Sequence, residues 1–134
     1  MLVVVGGGWF FFASQNAQAP TENTEVTNGK TWIVEFSDGA YIPKMLDVKK
    51  GDMVTWVNKS NSATWPASAI HPTHGVYPNS GIEKCSTSAQ AQIFDACKGL
   101  KNGESWSFQF SEVGSWRYHD HLNANIGGVV NVSE

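Results

Sequence analysis

The sequence predicts an all-β fold, an antiparallel β-sandwich. Three observations carry this: apolar residues alternate with polar ones, the alternating runs are short and bounded by turn residues, and no convincing amphipathic helix interrupts them. "TWIVEF" puts Trp32, Val34 and Phe36 on one face. After the Gly51-Asp52 turn, "MVTWVN" puts Val54 and Trp56 together. "SWSFQF" alternates strictly, with Trp106, Phe108 and Phe110 opposite Ser105, Ser107 and Gln109. "SWRYHDH" and "GVVNV" complete the set, with Trp116 and Tyr118 as further core residues. The stretch from Asn58 to Gly103 is too long for a bare connection. It is expected to hold loops, a helical turn around Ala89 to Ala96 and the functional residues.

Composition sets the bounds. The 134 residues, 41% apolar and 16% charged, suffice for one domain with one core. A formal charge of −3 without like-charge runs gives no electrostatic footprint for nucleic acid. Leu2 to Phe12 is an uncharged apolar run too short to span a bilayer, and Ala17-Gln18-Ala19 fits a cleavage site. Residues 1–19 therefore read as a signal peptide, 20–29 as a polar lead-in and 30–134 as the domain. A buried first strand is the alternative for the apolar run, and Gly6-Gly7-Gly8 suits it badly. The expected location is secreted, periplasmic or cell-surface, with no membrane span in the mature chain. Cys85 and Cys97 agree with export: without a C-x-x-C spacing or a neighbouring histidine, they read as a disulfide tying down the long loop.

All four histidines fall in two short stretches, His71 and His74 in "AIHPTHGVY" and His119 and His121 in "RYHDHL". On an extended strand His119 and His121 share a face and Asp120 points opposite. H-x-H on a strand is a two-imidazole clamp for copper or zinc, and H-P-T-H can add one or two ligands. Imidazole suits copper, zinc, iron and nickel, and Cu²⁺ heads the divalent affinity order. The bland reading of a strand histidine is a surface or hydrogen-bonded core residue. Asp120 is a ligand, an acceptor that fixes an imidazole tautomer, or a plain loop-end residue, its opposite phase favouring the last two. Trp65-Pro66 and Tyr77-Pro78 read as loop anchors, and Phe94-Asp95 as the pair closing the loop against the sandwich.

"YIPKMLDVKKGDMVTWVN", "IFDACKGLKNGESWSFQFSEVGSWRYHDH" and "GGVVNV" together resemble the cupredoxin (plastocyanin- and amicyanin-like) family over nearly all of Thr31 to Val132. The resemblance implies a Greek-key sandwich, here with one long loop insertion, and copper near one end. It places the family's ligand positions at Thr64, Asp120, Asn123 and Ile126, all changed here. Without a thiolate there, a blue-copper site is excluded. It also places both histidine stretches at the same end. The chain is further similar to secreted cupredoxin-like proteins carrying "HWPAS…HPTH" and "YHDHLNP", although Thr64 stands where theirs have histidine.

The expected function is an exported copper-binding protein with a non-blue site at His71, His74, His119 and His121. Its roles are copper buffering, delivery to a redox or copper-delivery protein partner, or slow one-electron transfer. The contending reading is an extracellular interaction or structural domain with a decayed site. An enzymatic reading, such as superoxide dismutation, ranks last, because the sequence offers no sign of a substrate pocket or steering charges.

Overall fold

The computed structural model describes residues 29–134. The expected signal peptide and all of the lead-in but Gly29 lie outside them. Eight strands follow in order: β1 (Thr31–Ser37), β2 (Ala40–Ile42), β3 (Met45–Lys49), β4 (Met53–Asn58), β5 (Pro66–Ser68), β6 (Ser105–Gln109), β7 (Gly114–Asp120) and β8 (Asn123–Ser133). They form two four-stranded sheets, ordered β2-β1-β4-β6 and β3-β8-β7-β5. No helix among the described residues is long and apolar enough to cross a membrane.

The sandwich is mixed rather than wholly antiparallel, since β1 pairs parallel with β4 and β3 with β8. The cause is local. Pro43-Lys44 carries the chain from β2 in one sheet directly into β3 in the other without reversing it, and proline there needs no ladder partner. The Gly51-Asp52 turn then reverses it, so β4 returns parallel to β1.

The alternation fills the space between the sheets as the sequence implies. Val34, Phe36, Val54, Trp56, Phe108, Phe110, Tyr118, Val130 and Val132 are buried, with Trp32, Trp106 and Trp116 packed against them. Each fully buried large apolar side chain contributes about 1.5–3 kcal/mol.

The long connection supplies a core residue of its own. Phe94 is fully buried, its ring centroid 5.0 Å from Phe110, 5.3 Å from Phe108 and 5.5 Å from Trp56. Backbone bonds from Ser68 to Phe94 and from Ala96 to Pro66 dock its segment on β5. The expected helical turn is shorter than the sequence suggests, a single 3-10 turn at Gln90–Gln92, because Ile93 to Ala96 extend along β5. The Cys85–Cys97 disulfide is formed and closes this part of the loop.

Candidate metal centre

His119 follows the core residue Tyr118 on β7 and therefore points to the other face of the sheet. His121 lies one residue beyond the strand, past a register irregularity between His119 and Asp120. Its backbone N–H donates to the Trp65 carbonyl. The HPTH turn comes over this end of β7 because Ala69, leaving β5, bonds back to Arg117. His74 closes the turn onto the Ile70 carbonyl at 2.8 Å with φ at 60°, a left-handed conformation unfavourable for a residue with a β-carbon.

These constraints bring all four imidazoles together, with one nitrogen of each lying within 4.8 Å of the others. His74 and His119 are buried, His121 is half-buried and His71 is exposed. Nδ1 of His121 lies 3.0 Å from Nε2 of His74. Nε2 of His119 is buried with no hydrogen-bond partner among the described residues. Burial pushes the His119 imidazole down to about 4, and the neighbouring His74, His71 and His121 push it the same way. Burial and the same kind of neighbours also lower His121.

The carboxylate serving the cluster is Asp95, which the sequence suggests only as a loop closure. Its Oδ2 lies 2.6 Å from Nδ1 of His74, both side chains fully buried. Its Oδ1 accepts from Trp65 Nε1–H at 2.7 Å and from the Cys97 N–H at 2.8 Å. Burial alone would raise this carboxyl; the hydrogen bonds from His74, Trp65 and Cys97 overcome it and hold it below its ordinary value. Trp65 also walls the cluster, its ring centroid 4.5 Å from that of His121. The available sequence signal is a lone carboxylate inside "IFDAC": an acid in an apolar run is buried, and a buried acid needs donors.

Asp120 makes no hydrogen bond to an imidazole among the described residues. Its Oδ1 accepts from the backbone N–H groups of Trp65 and Leu122 at 2.8 and 3.0 Å, because at the strand end it faces the chain entering β5. At the family's ligand positions, the Thr64 hydroxyl is 2.6 Å from that of Tyr41, and Ile126 packs against the core. Asn123 is exposed. None of these four side chains is part of the histidine cluster.

The cluster fits a divalent cation of intermediate softness. Two imidazole nitrogens at about 2.0–2.1 Å from one ion lie at most about 4.2 Å apart. The four nitrogens lie within 4.8 Å of one another, so closing on one ion asks the outermost pair to draw together by no more than about 0.6 Å. The buried, unpartnered His119 nitrogen also lacks the bond that a buried polar atom normally has.

No protein-family model matches the chain, and no curated protein does. Solved structures do. A reduced amicyanin variant is similar with a TM-score of 0.61 and 23% identity, over 81% of this chain and 87% of that one. A purple cupredoxin from Nitrosopumilus maritimus gives 0.56 and 20%, over 76% and 99%. A copper-containing nitrite reductase from Thermus scotoductus SA-01 gives 0.59 and 17%, over 78% of this chain and 22% of that one. The fold is that of the cupredoxins.

Proposed function

We propose that the chain is an exported copper-binding protein in which His71, His74, His119 and His121 hold one Cu²⁺ ion, with zinc as the alternative occupant. The convergence of four imidazoles on one point carries this reading. The copper-containing nitrite reductase and the Cu(I) amicyanin variants among its structural neighbours support the choice of metal. Bound copper supplies a single-electron couple. The protein side supplies neutral nitrogen donors, which favour Cu²⁺ over Cu⁺ more than a thiolate and thioether would. Holding and buffering copper, or passing it to a delivery partner, therefore ranks above fast electron shuttling. Export, with cleavage near Pro20, is supported by the disulfide.

Metal analysis of the protein as its host produces it, with EPR of the copper-loaded form, tests the reading. One copper per chain, a wide hyperfine splitting and only weak visible absorption are expected, because both cysteines are in the disulfide. A protein that takes up neither Cu²⁺ nor Zn²⁺ leaves the interaction-domain reading, which the non-ligating Thr64 and Asp120 favour.

A further inference from the structure

We propose that Asp95 is the positioning residue of the cluster and selects which nitrogen His74 and His121 each turn toward its centre; as a statement about a metal centre, this rests on the function proposed above. The selection follows from hydrogen-bond direction. A carboxylate only accepts, so the His74 nitrogen facing Asp95 at 2.6 Å, Nδ1, carries the proton. Nε2 of neutral His74 is then a lone pair. It lies 3.0 Å from Nδ1 of His121, and two lone pairs at that distance repel. In the metal-free protein His121 Nδ1 therefore carries a proton and donates it to His74, leaving the lone pair of His121 on Nε2. One carboxylate sets two tautomers.

The relay also keeps the two rings within ligand distance when no ion holds them. For Nδ1 of His121 to become a donor to an ion, its proton must pass to Nε2 of the same ring. The imidazole stays neutral and no net proton is released. His121 is half-buried and in reach of solvent for that exchange. His74 needs no such change, because Asp95 has already placed its proton away from the cluster. The expected donor set is therefore mixed: Nε2 from His74 and from His119, whose Nε2 is the unpartnered atom, and Nδ1 from His121.

Asp95 can do this because it is itself immobilised. Phe94 beside it is locked in the aromatic core, and Trp65 Nε1–H and the Cys97 N–H both hold Oδ1, which leaves Oδ2 for His74. The same arrangement makes Asp95→Asn informative. Two donors on one side hold the amide oxygen there and turn the amide NH₂ toward His74. Nδ1 of His74 must then accept, its proton moves to Nε2, and the lone pair aimed at the cluster is lost.

Long-range proton–nitrogen NMR of the metal-free protein reads the tautomers directly. The parent should show His74 and His121 protonated at Nδ1. Asp95→Asn should move the proton to Nε2 on both rings and weaken Cu²⁺ and Zn²⁺ binding on the order of 10- to 100-fold. A parent with His74 protonated at Nε2, or an Asp95→Asn variant with unchanged tautomers and unchanged affinity, overturns the assignment. If the parent shows the expected tautomers but binds neither metal, the metal reading and the role toward an ion fall together, and the tautomer relay stands as a structural feature. If the parent binds metal and Asp95→Asn binds it equally well, the positioning role alone falls.

Discussion

Oδ1 of Asp120 accepts the backbone N–H of Trp65 at 2.8 Å, so the acid between the two histidines of "HDH" fastens the entry to β5 rather than an imidazole. The Leu122 N–H shares the same oxygen. Asp120→Ala leaves both donors without this acceptor and should cost about 1–3 kcal/mol of stability. Asp120→Asn, which keeps an acceptor oxygen, should cost less and change metal affinity little. Denaturant melts and metal titrations of both variants check this. A loss of affinity in Asp120→Asn as large as that in Asp95→Asn would show that Asp120 serves the metal site as well as the backbone.

Two histidines of the same cluster should respond differently to truncation. His74→Ala removes one of three donors from the fully buried Asp95 carboxylate and should destabilise the fold by about 2–3 kcal/mol as well as weaken metal binding. His119→Ala breaks no hydrogen bond at Nε2, so its stability cost should be smaller, on the order of 1 kcal/mol. Its effect should fall on metal affinity. Urea denaturation of the metal-free variants, set beside their metal titrations, separates the two. Equal destabilisation by both would contradict the unequal bonding.

The cluster's residue types were legible in the sequence and its supporting bonds were not. Alternation placed Trp56, Phe108 and Tyr118 because a half-buried strand shows its faces at period two, and the cysteine pair read directly as a disulfide. The parallel β1–β4 pairing has no signature in alternation, since it follows from a sheet switch at Pro43-Lys44 that leaves the strand pattern intact. Asp120 drew attention because it adjoins the histidines in sequence. Asp95 lies far from them in sequence, and its link to His74 exists only once Phe94 docks in the core.

Acid should destabilise the metal-free protein earlier than the carboxylates alone would. The His119 imidazole falls from its ordinary 6.5 to about 4 on folding, mainly through burial. Between those values the unfolded chain binds the proton that the folded chain refuses, so stability drops as pH falls through that window and is fully present above it. His121, lowered for similar reasons, acts in the same direction. The same two shifts lower the pH at which protons compete with a metal for His119 and His121. Denaturation at about pH 7 and pH 5 should show the slope in the parent and a reduced slope in His119→Ala. Identical slopes would remove His119 as its source.

The disulfide should matter more to the fold than to the metal. Cys85 and Cys97 are 12 residues apart, and closing a loop of that size stabilises by about 3 kcal/mol in the chain-entropy description. The Cys85→Ser/Cys97→Ser double variant should lose about that much, and it avoids adding a reductant that competes for copper. Asp95 should keep its place without the crosslink, because Phe94 stays locked in the aromatic core and the Ser68–Phe94 and Ala96–Pro66 backbone bonds hold its segment to β5. Only the Cys97 N–H contact to Oδ1 is free to loosen, while Trp65 Nε1–H still holds that oxygen. The double variant should therefore bind metal within a few-fold of the parent, well short of the loss expected for Asp95→Asn. If its affinity falls as far as that of Asp95→Asn while its fold is retained, the crosslink rather than the core docking of Phe94 is what positions the carboxylate.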